Sequence, residues 1–280
     1  MGNERLFVAY KPPFLSSNRF LGELKRKYGV KKGGFSGTLD PFAEGVLLVA
    51  FGRYTKLFQF LAKTPKKYRA TLLLGGVSSS LDIEKVEKIE PLPPFSLSKI
   101  EESFAHFTPG YLQLPPIYSA KRVKGVRAYR LAEMGQKPPL EPVPVEVKGI
   151  KLLDYSHPFL TIEAEVGEGC YIRSLGRDIA EKLGTTAFLT SLKRLQEGKF
   201  VYECEKPLNP VDYLPFPQNF YTGAVEELLS GKPLPLSRLQ FQTPGKYWLP
   251  VGEEFFSIIQ ITPQFKVKYL LNLLPFPKLK

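Results

Sequence analysis

Six consecutive apolar residues, 46–51, come just after a glycine-rich stretch, Gly33-Gly34-Phe35-Ser36-Gly37, and the pair Asp40-Pro41. A short unbroken apolar run bounded by turn residues reads as a strand buried in a sheet. This junction constrains the fold more than any other feature. Such a strand needs cover from other elements, and the loop ahead of it carries one carboxylate, Asp40, to the edge of the core. Gly33 and Gly34 are expected to open a tight turn leading to that loop. Taken alone, Asp40 could simply start an Asp-Pro turn.

Other segments supply the cover. Residues 6–10 read as a strand. A helix follows, capped by Ser16, Ser17 or Asn18, with Phe20, Leu21, Leu24 and Tyr28 on its apolar face and Gly29 at its end. Leu57, Phe58 and Leu61 suit a short helix, and residues 68–74 a second central strand. Ser98 and Glu101 have capping-box spacing at the start of another helix. Residues 126–134 suggest a further helix, ended by Gly135. Strands are expected over 145–154 and 159–166. Ile172, Leu175, Ile179 and Leu183 then recur at helical spacing up to Gly184, with Arg173 in the first turn. Pro207 and Pro210 mark a boundary. Beyond it, short strand-like runs at 247–250, 255–261 and 265–271 describe a small β-rich appendage. The expected domains are therefore 1–210 and 211–280, which 280 residues accommodate.

Charge narrows the partner. Residues 1–69 hold 14 Lys or Arg against four acids, and residues 111–132, which include Lys121, Arg122, Lys124, Arg127 and Arg130, hold no acid at all. Segregated positive charge suits a polyanion, and nucleic acid first among them, bound through its phosphates. Two cysteines, Cys170 and Cys204, are too few for a disulfide framework or a CxxC metal site. Only His106 and His157 could supply imidazole, so zinc sites and hydrolytic triads are hard to build. No apolar run approaches the roughly 18 residues of a membrane span, and the N-terminus does not read as a signal peptide. A cytoplasmic monomer without metal is the expectation.

Gly37-Thr38-Leu39-Asp40-Pro41, with Gly45 and then Gly52-Arg53-Tyr54-Thr55-Lys56, resembles the GxLDPxAxGxL…GxATK signature of TruB-type tRNA pseudouridine synthases. The resemblance spans residues 6–205. Lys11-Pro12 with Ser16-Ser17 resembles the family's first motif, and Lys67-Tyr68 its KxY motif. Pro115-Pro116-Ile117-Tyr118-Ser119-Ala120 resembles PPxYSA, Gly169-Cys170-Tyr171-Ile172-Arg173 resembles GTYIR, and Leu192-Lys193-Arg194 stands where the family has LRR. The resemblance implies an α+β pseudouridine synthase fold, a mixed, largely antiparallel sheet flanked by helices; the C-terminal appendage separately resembles a short PUA-like RNA-binding domain, with a merely structural β-appendage as the alternative. The family resemblance implies isomerisation of uridine 55 in the T arm of tRNA, with no cofactor. Asp40 would be the nucleophile, attacking either C1′ of the sugar or C6 of the base. Arg173 would keep Asp40 ionised, since a guanidinium neighbour lowers a carboxylate pKa. Tyr68 would stack on the extruded base and help remove the C5 proton, and Tyr171 and Leu192 would line the pocket.

Two residues depart from the family pattern. Phe35 stands where the family usually has histidine, so a wedge filling the space of the flipped base would work by shape and stacking there. Cys170 replaces the motif threonine. Three rival readings stand beside this one. The branch acting on ribosomal RNA carries GRLDxxTSG, against which Thr38, Pro41 and Ala43 argue. Guide-RNA-dependent relatives share much of the core. A non-catalytic RNA-binding or RNA-folding protein is disfavoured by intact Asp40, Tyr68 and Arg173.

Overall fold

The apolar run becomes strand β3 (Glu44–Phe51), in which every residue after Glu44 is buried. The structure, a computed structural model, describes residues 4–277 apart from Ala120 and Lys124. Those two, one in the PPxYSA-like motif and one in the basic cluster, lie outside the described residues. Along one edge β3 pairs antiparallel with β1 (Arg5–Lys11), Val8 facing Leu48. The opposite edge is shared. Its far half, Leu48 to Phe51, takes β2 (Gly33–Ser36), while Glu44 and Gly45 pair in parallel with Lys193 and Arg194 of β12 (Ala187–Glu197). Residues 37–43 leave the sheet where that edge changes partner, and this is why Asp40 stands at a gap. Gly45 makes the junction possible: at φ 110 its backbone lies so close to β12 that a Cβ would sit 2.2 Å from the Arg194 carbonyl oxygen.

From β12 the sheet runs through β4 (Lys66–Leu74), β11 (Phe159–Val166) and β10 (Val143–Ser156) to β7 (Gly110–Gln113), all antiparallel. Helices α2 (Leu97–Phe104) and α4 (Ile172–Leu183) cover one face of this half, packing Ile100, Phe104, Leu175 and Ile179 on Leu72, Leu74 and Ile162. Helix α1 (Ser17–Lys27) covers the β1–β3 half, where Phe20 and Leu24 meet Phe7, Leu47, Val49 and Phe51. Two hairpins project from the sheet, β5 (Gly76–Ser78) with β6 (Val86–Ile89) and β8 (Arg122–Val123) with β9 (Val126–Arg127). Short helices α3 (Ala128–Glu133) and α5 (Val225–Leu229) follow. Strands β13 (Gly245–Val251), β14 (Phe255–Ile261) and β15 (Val267–Pro275) form the C-terminal sheet.

The α+β architecture with a mixed, largely antiparallel sheet is the one expected. Several local expectations change. Gly33 and Gly34 open strand β2 rather than a tight turn. Ser16 caps α1 by accepting from the Arg19 amide (3.3 Å), which frees Ser17 for another role. Ser96, not Ser98, caps α2, so no capping box with Glu101 exists. The helix expected from 126 starts at Ala128, because Val126 and Arg127 close a hairpin first. Phe265, at φ 57, belongs to the turn before β15, which moves the last strand to Val267–Pro275. Strand β12 has no counterpart among the expected elements.

Candidate active site

Ser17 ties the Asp40 loop to α1. Its buried hydroxyl donates to the Leu39 carbonyl (2.9 Å) and accepts from the Leu39 amide (3.0 Å). Lys11, fully buried at the end of β1, donates from Nζ to the Pro41 carbonyl (3.2 Å) on the other side of Asp40. Burial lowers the Lys11 pKa to about 8, against the opposing attraction of Asp40. Beneath the loop, Arg194 from β12 is buried and donates to the carbonyls of Val46 (2.8 Å) and Gly37 (2.9 Å). Its charge is met by the buried carboxylate of Glu197 (3.5 Å), which also accepts from Ser36 (2.8 Å) and lies 3.8 Å from Lys66. Both flanks and the floor of the loop are thus fixed by hydrogen bonds, so Asp40 is held rather than left mobile.

The carboxyl meets Arg173 from the first turn of α4. The Arg173 Nε to Asp40 Oδ2 distance is 2.9 Å, and Nη2 donates to Oδ1 at 3.0 Å. The guanidinium is itself pinned. Nη1 donates to the Ser80 carbonyl (2.7 Å) and lies 3.4 Å from Asp82, while Nη2 also donates to the Tyr118 carbonyl (2.9 Å). Asp82 is buried, accepting from Ser80 Oγ (2.5 Å) and the Glu84 amide (2.9 Å). One guanidinium therefore serves two carboxylates, of which Asp40 alone keeps about a third of its side chain (34%) open to the cleft. Desolvation and the neighbouring guanidinium act on the Asp40 carboxyl in opposite directions. Burial pushes its carboxyl above the usual range and the nearby Asp82 adds to this, while Arg173 and Lys11 oppose it. Arg173 counteracts the desolvation without reversing it.

A cleft of about 610 Å³ opens over this pair, with Asp40, Tyr68, Tyr171, Arg173 and Leu192 all in its lining. The volume suits a nucleoside-sized group. Tyr68 projects from β4, and burial holds its phenol above the ordinary tyrosine pKa despite Arg194 nearby. Tyr171 is the N-cap residue of α4, fixed through its backbone by Gln113 of β7. Its amide donates to Gln113 Oε1 (2.8 Å), and Gln113 Nε2 donates back to its carbonyl (3.1 Å). Leu192 comes from β12 and is buried at the cleft floor. Ser16, Asn18 and Pro41 form one rim, and Arg127, Tyr129 and Glu133 another. Phe35 is the exception among the expected residues. It lies on β2, half-buried against the cluster under α1, and is not part of the cleft lining. Sequence reasoning missed Asp82, Gln113, Arg194 as a loop anchor, and Glu197. The serine-rich turn 78–82 was the only hint of the first. Among the described residues, no group of three or more His, Cys, Asp or Glu side chains is placed to hold a metal, and no helix is long and apolar enough to cross a membrane.

Comparison with known proteins points to one family. Residues 25–172 match the N-terminal domain model of the TruB family of pseudouridylate synthases. A protein of a Nitratiruptor species named tRNA pseudouridine synthase B is 51% identical over 97% of this chain and 98% of its own length. One of the same name from Helicobacter hepaticus is 45% identical over 97% and 96%. Among solved structures, a Cbf5-Nop10-Gar1 complex contains a chain with the same fold, at a TM-score of 0.67 and 19% identity, covering 97% of this chain and 83% of that one.

Proposed function

The chain belongs to the TruB family of pseudouridylate synthases, and from that premise we propose that it isomerises uridine to pseudouridine in tRNA, at position 55 of the T arm, with Asp40 as nucleophile. The observation that carries this reading is the Asp40–Arg173 pair at the floor of an open, base-sized cleft. The reaction breaks the N1–C1′ bond, turns the base and forms C5–C1′; C5 loses a proton to solvent and N1 gains one. It consumes no cosubstrate, and one carboxylate can carry the covalent step. Attack at C1′ or at C6 would start from the same ionised Asp40.

A paired or stacked uridine cannot reach Asp40, so the nucleotide must be extruded at a cost of a few kcal/mol. We assign Tyr68 to stacking against the extruded base. Its raised pKa keeps the phenol protonated at neutral pH, so it would assist at C5 as a hydrogen-bonding group rather than as a standing phenolate. Tyr171 and Leu192 shape the pocket walls, and Arg173 orients the carboxylate and offsets part of its desolvation. Phe35 lies outside this constellation, so we assign it to packing β2 under α1 instead of to the flipped base. The substrate would be held along the Lys- and Arg-rich stretches 25–32 and 121–130 and the PUA-like C-terminal sheet. We place the enzyme in the cytoplasm, as a monomer acting without cofactor or metal.

The test is release of tritium from 5-tritiated uridine in an unmodified tRNA transcript. Wild-type protein should release one equivalent per tRNA, and Asp40→Asn should release none above background. Release by the mutant at the wild-type rate would remove Asp40 from the mechanism.

A further inference from the structure

Phe14 is the most exposed large apolar side chain among the described residues, at 75%. It is also held at φ 62, the left-handed region that a bulky residue rarely adopts. Its neighbour Leu15 does the packing, joining the cluster under α1, whereas Phe14 belongs to no cluster of the core. Among the described residues, no core cluster accounts for an aromatic ring here.

The turn that presents Phe14 is rigid. The buried Lys11 ammonium donates to the carbonyls of Pro12 (2.9 Å) and Leu15 (2.6 Å), closing the turn around Phe14, and the same Nζ donates to Pro41 (3.2 Å), the residue after Asp40. Pro12 and Pro13 remove further backbone freedom. Two residues on, Ser16 lines the cleft, and Ser17 holds Leu39. One buried lysine thus ties the turn that carries Phe14 to the Asp40 loop, and Phe14 itself lies outside the cleft lining, two residues before Ser16.

We propose that Phe14 is a stacking platform for an unpaired nucleobase adjacent to the target uridine. The inference rests on reading the cleft as one that takes an extruded uridine. Removing that nucleotide from its stack leaves its neighbours without a partner on one face. An aromatic ring fixed on the turn beside the cleft would replace the lost contact, and it would serve any base because every base has a π-face.

The experiment is equilibrium binding of the unmodified tRNA transcript to wild-type, Phe14→Gly and Phe14→Trp protein across a salt series. 2-Aminopurine is placed beside the target uridine in a parallel set. Glycine suits φ 62, so Phe14→Gly should melt no lower than wild type. Its affinity should drop about 5- to 150-fold, the range for loss of one base–aromatic stack, with KM rising in step. Phe14→Trp should bind at least as tightly as wild type. The 2-aminopurine should be quenched on wild type and brighter on Phe14→Gly. The slope of log affinity against log salt should not change, since no phosphate contact is lost. Wild-type affinity in Phe14→Gly, or a changed salt slope, would overturn the platform. Tritium release by wild type in the same transcript reports separately on the proposed function, so the two readings can fail independently.

Discussion

At Asp40 the fold works against ionisation while the chemistry requires it. Because burial raises the folded-state pKa, folding shifts the carboxyl toward its protonated form relative to the unfolded chain. The stability this contributes is present at low pH and declines as pH rises from the ordinary aspartate value through the raised one. At neutral pH the ionised group is a cost that Arg173 only partly offsets. Asp40→Asn should therefore lower isomerisation by about three orders of magnitude or more while its melting temperature at pH 7 equals or exceeds that of wild type. A clear drop in melting temperature would mean that the ion pair is a net stabiliser. The same shift sets a pH profile. Single-turnover rates should fall as acid protonates Asp40, with the midpoint above the usual aspartate range, and a midpoint at or below that range would contradict the dominance of burial.

At the scale of elements, the site depends on a sheet edge that changes partner from β2 to β12 within β3. Gly45→Ala would set a Cβ 2.2 Å from the Arg194 carbonyl in a backbone conformation that alanine resists. The loss should be about 2–5 kcal/mol, seen as a lower denaturation midpoint at constant m-value. Isomerisation should suffer beyond the fraction unfolded, because Arg194 anchors the Gly37 carbonyl under the loop. The helices bearing the site were readable because α1 and α4 are amphipathic and carry clear stops, and β3 because it is uniformly apolar. Strand β12 was not, because its inward positions include Arg194 and Glu197, and a pattern that treats charge as outward-facing sees no strand there. Asp40 and Arg173 were identified through motif resemblance, whereas Asp82 and Gln113 were not. Asp82 acts through its ion pair with Arg173 and Gln113 through hydrogen bonds to Tyr171, contacts between segments far apart in sequence that local patterning does not encode. Phe35 was singled out by its place in the motif, and the strand that the glycine pair starts sets its side chain in the cluster under α1.

Over the whole molecule, the surplus of Lys and Arg should make transcript binding steeply salt-dependent. Six to ten phosphate contacts would cost about 10³- to 10⁵-fold in affinity between 50 and 200 mM salt, and a flat response would rule out the Lys- and Arg-rich stretches as the RNA surface. The C-terminal sheet is structurally less separate than its position beyond Pro210 suggests. Phe256, Ile258, Leu271 and Leu274 share one buried cluster with Leu6, Val8, Val46, Leu48 and Tyr54 of the catalytic half. Arg53 donates to the Leu273 carbonyl (2.7 Å), and Tyr54 donates to that of Pro275. The face of β3 opposite α1 is therefore covered by the appendage, and truncation at 210 would leave that apolar surface open to water. Trp248, the one tryptophan, lies on β13 and packs partly against the same cluster. Its fluorescence reports on the appendage, while far-UV circular dichroism is dominated by the larger catalytic half. If the shared cluster couples them, both signals should change in one transition with the same midpoint in heat and in urea. A tryptophan transition that finishes several degrees before the helices melt would show that the appendage folds on its own, and Asp40 would then be positioned without its help.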